Sequence, residues 1–374
     1  MRINNILLQN FRNYANLELT FNEHRNIIVG ENAQGKTNLI EAIYLAAFAK
    51  SFRTNNAGDM VKFGEERGRV SVEINSEDMD KNIDISILTN GRKMIKKDGK
   101  VVRRTADLLN NIVVIIFSPD DLRIIKDSPE RRRAYVNREL SQIRPKYYDV
   151  LKNYSDVLKQ KNSLIKGLSN SQYSRTYNSD MMDVYDRQLA DYGYELIRYR
   201  KEFVDMLSEE AGEIMAAISG GKEELKIEYK TSCDYISAPE GREIMFKQLY
   251  HNRQKDTYAG FATLGPHRDD LEFYINGTDA KKYGSQGQQR TIALSLKLAE
   301  IRIAKQILDE YPVLLLDDVL SELDIDRQRF LVNQIDDVQL FITSAELNDD
   351  VIETLKGGTL FRVEEGTITK VDKY

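Results

Sequence analysis

Gly30-Glu31-Asn32-Ala33-Gln34-Gly35-Lys36-Thr37 decides the fold of this chain, because it reads G-x-x-x-x-G-K-S/T. The two glycines let the backbone turn so that its N–H groups point inward at a phosphate. In this pattern Lys36 neutralises the β- and γ-phosphates and the Thr37 hydroxyl binds Mg²⁺. The flanks agree. Arg25-Asn-Ile-Ile-Val29 is a short β-rich apolar run, and Asn38-Leu-Ile-Glu-Ala-Ile-Tyr-Leu-Ala-Ala47 has helical spacing. Strand, glycine loop and helix together place phosphate on a helix N-terminus. Nucleotide binding by Gly30 through Thr37 is the expectation from which the rest follows.

The chain has 374 residues, 41% of them apolar, which suffices for two or three domains with real cores. No run approaches the length of a membrane span, and polar residues interrupt Met1 to Asn10 where a signal peptide needs an unbroken apolar stretch. Cys233 is the only cysteine, so no intramolecular disulfide can form, and a reducing cytoplasm is the expected location. The three histidines are too few and too scattered for a zinc site. A net charge of −5 conceals segregation. Gly91 to Thr105 holds seven Lys/Arg against one Asp, whereas Asp309 to Gly366 holds fifteen Asp/Glu against four Lys/Arg. Local basic patches are what nucleic acid needs, so the global charge does not exclude it.

Short apolar runs at Ile6–Leu8, Leu17–Phe21 and Ile27–Val29 read as strands leading into the loop. After the helix near 38–48, residues 68–74 and 82–88 alternate at period two, as half-buried antiparallel strands do. Thr89 to Arg92 supplies a turn, the basic stretch follows, and Asn111 to Phe117 reads as a buried strand. Helical periodicity dominates from Pro119 to Gly221, interrupted by a polar loop over 167–180. Strand signals resume at Leu225–Tyr229 and within Gly265–Gly277. A helix over 288–308 precedes the apolar strands Val313–Leu316 and Leu340–Thr343, and a hairpin around Gly366 closes the chain. The expected organisation is an α/β nucleotide-binding domain, residues 1–118 and 225–374, with an inserted helical domain at 119–224.

Val313-Leu-Leu-Leu-Asp317-Asp318 is a buried strand ending in acid, which sets carboxylates at the edge of the sheet beside the glycine loop. There Asp317 holds Mg²⁺ through water and Asp318 polarises an attacking water. Tyr283-Gly-Ser285-Gln-Gly287-Gln288-Gln-Arg290 precedes a helix beginning near Thr291, and a serine and glycine at a helix start can present backbone N–H groups to a second phosphate. Taken alone, Ser285 is equally an ordinary N-cap.

Together these motifs resemble the ABC-type ATPases of the SMC/Rad50 class and, within it, the RecF family of bacterial repair and recombination ATPases. The supporting residues run from Leu7-Leu-Gln-Asn-Phe-Arg12-Asn-Tyr14 through the glycine loop. They continue with Phe117-Ser-Pro-Asp-Asp-Leu122, Ser128-Pro-Glu-Arg-Arg-Arg133, Thr263-Leu-Gly-Pro-His-Arg-Asp-Asp270 and Leu314 to Asp324. The resemblance implies a mixed-sheet ATPase head that binds ATP and Mg²⁺. It also implies that Ser285, Gly287 and Gln288 form a signature acting on the nucleotide of a second subunit, so that ATP holds a homodimer together. Ser321 to Asp324 resembles the loop lining that interface, and Arg12 lies where the class has a basic residue near the nucleotide. DNA, RecR and RecO are the implied partners. Loading of recombinase onto single-stranded DNA and support of the SOS response are the implied roles.

Two departures bear on rate. The class usually follows its strand aspartate with glutamate, but Asp318 stands here, and the switch histidine is replaced by Thr343-Ser344. Both point to slow hydrolysis by an ATP-gated clamp, and the resemblance implies that this hydrolysis depends on DNA. For DNA contact, Arg92, Lys93, Lys96, Lys97, Lys100, Arg103 and Arg104 cluster about a turn, and Arg131 to Arg133 form a second cluster. Phosphate binding needs such clusters and little else. No aromatic stacking motif stands out in the sequence. A duplex or a duplex–single-strand junction is therefore the expected substrate, with a single strand as the further option. The competing readings are a transporter nucleotide-binding subunit and a P-loop small-molecule kinase. A transporter subunit places its signature much closer to the glycine loop, and a kinase has no need of Gly284 to Arg290.

Overall fold

The computed structural model describes every residue except 77–78, 170–176, 234–236, 238–239, 346–356 and 372–374. Its elements form two compact units. One comprises Met1–Arg123, Ile214–Gly221 and Gln286–Tyr374, the other Ile124–Glu213 and Lys222–Ser285. In chain order the first contributes β1 (Arg2–Phe11), β2 (Tyr14–Thr20), β3 (Arg25–Val29), α1 (Lys36–Phe48), β4 (Arg67–Asn75), β5 (Lys81–Leu88), β6 (Lys93–Lys97), β7 (Lys100–Val101) and β8 (Val114–Phe117). The second unit follows with α2 (Pro129–Ile143), α3 (Pro145–Ser169), α4 (Tyr177–Ser219), β9 (Leu225–Lys230), α5 (Gly241–His251), α6 (Arg253–Ala259), β10 (Asp270–Ile275), β11 (Thr278–Asp279) and α7 (Ala280–Tyr283). The first unit resumes with α8 (Gln286–Leu308), β12 (Val313–Asp317), α9 (Ile325–Asn333), β13 (Leu340–Ser344), β14 (Thr359–Glu364) and β15 (Thr367–Val371).

Two sheets build the first unit. An antiparallel sheet runs in the order β2-β1-β4-β5-β6-β7. Its period-two sequences bury one face: Val70, Val72 and Ile74 of β4 lie inside with Ile83, Ile85 and Ile87 of β5. The other sheet has the order β15-β14-β3-β13-β12-β8, with β15 antiparallel and the rest parallel. Strands β8, β12 and β13 are buried along their whole length, which is why they are apolar up to the polar residues Asp317 and Thr343-Ser344 that end β12 and β13. Helix α1 is apolar on nearly all sides because nearly all of it is buried. Register then assembles the site. Ser344 pairs with Val29 and Asp317 with Thr343, so β3, β13 and β12 finish side by side at their carboxyl ends.

The expected strands and long helices are present, with α8 starting at Gln286. The strand read over 111–117 begins only at Val114, because the Asn111 side chain turns back to the Asp107 and Leu108 carbonyls at 2.8 and 2.6 Å. Within 167–180, α3 continues to Ser169 and α4 begins at Tyr177, and 170–176 lie outside the described residues. The unit boundary also differs from the one drawn by composition at 224. Strands β9, β10 and β11 form a separate three-stranded sheet and group with the helices. Arg132 of α2 holds Asp270 of β10 through two 2.7 Å bonds, a tie that strand periodicity cannot reveal.

The second unit buries charge as well as apolar surface. Lys161 lies 2.8 Å from Asp186 and 3.0 Å from Asp256, with all three side chains fully buried. Removing one partner of such a cluster leaves uncompensated buried charge. Lys161→Met is therefore expected to cost about 3–5 kcal/mol in denaturant unfolding. His267 is buried between the Tyr154 hydroxyl, 2.8 Å from Nδ1, and the Ala262 carbonyl, 3.0 Å from Nε2. Burial lowers its pKa from 6.5 to about 4. The unfolded chain therefore takes up this proton first. The stability contributed by neutral His267 is complete above pH 6.5 and is lost as pH falls towards 4, by about 3 kcal/mol in all. Unfolding of His267→Gln, compared with wild type at both ends of that window, is expected to show the smaller loss.

Candidate nucleotide site

Where β3 ends, the chain turns through Gly30. A Cβ there would lie 2.4 Å from the Val363 carbonyl oxygen, so the packing against β14 excludes a side chain. Gly35 has φ +125°, and a Cβ on it would meet Asn13 Nδ2 at 2.6 Å and the Tyr14 hydroxyl at 3.0 Å. Asn13 and Tyr14 also shape the loop by hydrogen bonding. Asn13 Nδ2 donates to the Gln34 carbonyl at 2.7 Å, and the Tyr14 hydroxyl donates to the Gly35 carbonyl at 2.9 Å. Burial raises the Tyr14 pKa, which keeps that donor protonated. On the far side, the Glu365 N–H donates to Gln34 Oε1 at 2.6 Å. The β1–β2 turn and the closing hairpin thus hold the glycine loop from two sides.

Lys36 Nζ donates to the Gly30 and Glu31 carbonyls at 2.5 and 3.0 Å. The side chain is buried, so its charge is held at the loop mouth. Thr37 Oγ1 and Thr343 Oγ1 both donate to Asp317 Oδ1, at 2.9 and 2.8 Å. Burial raises the Asp317 pKa, the two hydroxyls oppose that shift, and neighbouring Asp318 adds to it. Asp318 has φ +57°, and its N–H donates to Thr343 Oγ1 at 3.0 Å. It shares a cleft of about 300 Å³ with Asn32, Ala33, Lys36 and Thr37. A hydroxyl and a carboxylate meeting beside a lysine are hard oxygen donors. They suit Mg²⁺, which takes its other ligands from water and phosphate.

Arg12 is placed by a φ of +54° and grips fully buried Glu41 of α1 with two bonds, Nε at 2.8 Å and Nη2 at 2.6 Å. It borders a second cavity of about 700 Å³. Arg53 lines both this cavity and the 300 Å³ cleft, and donates to Asn38 Oδ1 at 2.7 Å. Sequence reading missed Arg53, which lies in no recognisable motif, and gave Asn13 no role although it lies in the quoted stretch Leu7–Tyr14.

Ser285 is exposed immediately before α8, whose first turn holds Gly287 and Gln288. Neither Gly287 nor Gln288 lines the cleft around Lys36. Both nevertheless belong to a connected surface. Arg327 of α9 donates to the Gly287 carbonyl at 3.2 Å and to Thr291 Oγ1 at 2.7 Å, and it is ion-paired with Asp324. Arg290 meets Glu322 at 3.0 Å. The Ser321–Asp324 loop and the start of α8 are therefore tied together.

The basic clusters fare differently. Arg92, Lys100 and Arg103 are exposed around the β6–β7 hairpin, with Lys96 and Lys97 half-buried. Lys93 is exposed too, but its ammonium donates to the Ala49 carbonyl, and desolvation at that contact together with Lys50 lowers its pKa. Arg131 to Arg133 do not form a second surface patch. Successive positions point in different directions around α2, so only Arg131 is exposed. Arg132 is buried on Asp270, and Arg133 donates to the Asp269 carbonyl at 2.7 Å.

A glycine loop at the end of a parallel strand, a strand two places along the same sheet ending in Asp317, and a second, antiparallel sheet in the same unit define an SMC-type ABC ATPase head. The RecF/RecN/SMC N terminal domain family matches residues 2–366. The DNA replication and repair protein RecF of Clostridium perfringens strain 13 is 40% identical over 368 residues, 98% of this chain and 99% of its own. That of Clostridium beijerinckii is 40% identical over 371 residues, 98% of each. A solved structure of RecF with ATP, a recombination mediator protein in the RecFOR pathway, matches with a TM-score of 0.90 at 35% identity, covering 99% of this chain and 97% of its own. An Smc head bound to the C-winged helix domain of ScpA shares the fold, with a TM-score of 0.58 at 16% identity and coverage of 99% and 97%. The chain belongs to the RecF family.

Gly35→Ala forces a Cβ into Asn13 and Tyr14 at a φ unsuited to alanine. Titration with a fluorescent ATP analogue is expected to show binding weakened about tenfold or more.

Proposed function

We propose that this chain is an ATP-dependent DNA-binding protein of DNA repair and replication, whose ATP-bound form is a head-to-head dimer clamped on DNA. The convergence of Thr37 and Thr343 on Asp317, beside the Lys36 ammonium, carries the reading. Lys36 exchanges two neutral carbonyls for β- and γ-phosphate oxygens, a stronger charge-assisted interaction. Thr37 and Asp317 hold Mg²⁺, which when bound neutralises charge developing on the phosphates. Asp318 orients and polarises the attacking water. Its side chain is one methylene shorter than the usual glutamate, so hydrolysis is slow and stimulated by DNA. The base lies in the 700 Å³ cavity, where Arg12 and Arg53 line one side and the Phe63 ring stands fully exposed.

Ser285, Gly287 and Gln288 serve the nucleotide of the second copy. The Arg327 and Arg290 ties make the signature and the Ser321–Asp324 loop act as one surface. Duplex DNA, or a duplex–single-strand junction, meets Arg92, Lys96, Lys97, Lys100, Arg103 and Arg104 through its phosphates. RecR and RecO are the protein partners. Loading of recombinase onto single-stranded DNA and support of the SOS response are the roles in the cytoplasm.

Light scattering with no nucleotide, with ADP, and with ATP and Mg²⁺ tests the dimer. A doubled mass is expected with ATP alone, and is expected to be lost in Lys36→Met and in Ser285→Arg. A monomer under every condition would overturn the clamp. An Ser285→Arg variant that still dimerised with ATP would remove the signature from the mechanism.

A further inference from the structure

We propose that α6 and the loop after it form a base-stacking platform for unpaired DNA, a deepening that rests on the DNA-binding reading above. Tyr258 is 96% exposed, with Tyr250 at 48% and Phe261 at 41%. A ring standing wholly in water adds nothing to the packing of its own fold, and exposed rings mark an interaction surface. Tyr258 and Phe261 stand three residues apart at the end of α6, and Tyr250 sits near the end of the preceding helix α5. Local structure explains their placement. Asp256 turns inward, fully buried, to Lys161 and to the Thr263 hydroxyl. Two residues on, Tyr258 faces the opposite side of the helix. Gly260, at φ +79°, ends α6 and brings the Phe261 N–H back to the Asp256 carbonyl at 3.2 Å. The Arg268 guanidinium lies 4.8 Å over the Phe261 ring.

Charge selects the occupant. Between Tyr250 and Arg268 the only carboxylate is Asp256, which is fully buried. Lys255 and Arg268 are both exposed on the same stretch. Arg253 is already engaged with Asp183 and Asp186 and lies over the Tyr250 ring at 4.4 Å. Arg268 keeps its exposed guanidinium at the Phe261 ring while donating to the Ala262 carbonyl at 3.2 Å, and the half-exposed acid nearby, Asp183, is neutralised by Arg253. Open rings beside exposed cations match a strand that offers base faces and phosphates together. Paired bases keep their faces stacked inside the duplex, so the platform takes the unpaired strand. The rings fall at 250, 258 and 261, a spacing with no motif in the sequence.

Fluorescence anisotropy of the full-length protein, with ATP and Mg²⁺, would compare blunt duplex, duplex with a single-stranded tail, and oligo-dT. Wild type is expected to favour the tailed duplex over the blunt one. The double variant Tyr258→Ala/Phe261→Ala is expected to lose about tenfold or more on tailed DNA and oligo-dT, with blunt-duplex affinity unchanged. Tyr258→Phe with Phe261→Tyr should restore binding, and 2-aminopurine in the tail should be quenched only by proteins that keep both rings. The loss should persist at raised salt, where phosphate contacts weaken. An alanine variant that binds tailed DNA as wild type does would overturn the platform. So would a defect confined to the dimer mass, which would make this face a contact between copies. If wild type binds no DNA of any form, the DNA-binding reading itself falls and the platform with it.

Discussion

Asp317 Oδ1 is the point on which the nucleotide-binding unit turns. Two hydroxyls reach it from opposite ends of the chain, Thr37 from the helix after the glycine loop and Thr343 from the end of β13. Neither contact exists unless β3, β13 and β12 lie parallel and in register, so the site tests the sheet as much as it uses it. A buried carboxylate without such donors would carry the full desolvation cost of its charge. With them it stays a usable metal ligand, although burial still raises its pKa. Asp318 takes its left-handed turn directly after this anchor, and so opens into the cleft instead of continuing the strand.

A second buried anion organises the neighbouring cavity. Glu41 faces inward from α1 and collects Arg12, Ser51 and Arg53. Fully buried, it needs those partners, and in satisfying it Arg12 and Arg53 become walls of the space beside the glycine loop. Arg12 is thus first a structural group. Its distance from solvent is set by Glu41, and what remains for a ligand is the outer edge of an already paired guanidinium.

The second unit shows how a motif can be specific in sequence and structural in role. Arg132, Asp269, Asp270 and His267 all fall in stretches that carried the family resemblance. Each is consumed by the interior: Arg132 on Asp270, Asp269 under the Tyr229 hydroxyl, His267 against Tyr154. Arg200 adds to the same interior, donating to the Pro266 carbonyl at 2.6 Å and to Asn137 at 2.9 Å. Buried polar groups must be paired, and pairing of this density tolerates few substitutions.

The sequence by itself determined the class of the protein and most of its elements. The glycine loop, the apolar strand ending in Asp317-Asp318 and the period-two strands are local patterns, and local patterns follow from backbone geometry and burial. Ser285, Gly287 and Gln288 were legible for the same reason, as residues at a helix start. Tertiary structure alone decided which sheet β9 and β10 join, and that Arg132 and Arg133 face inward while Arg131 faces water. It alone brought Arg53 and Asn13 to the glycine loop, and set Tyr258 in solvent opposite a buried Asp256. Each of these depends on a partner distant in the chain, as with Thr37 and Asp317, 280 residues apart. A one-dimensional pattern records which face of an element is apolar, but not what that face meets.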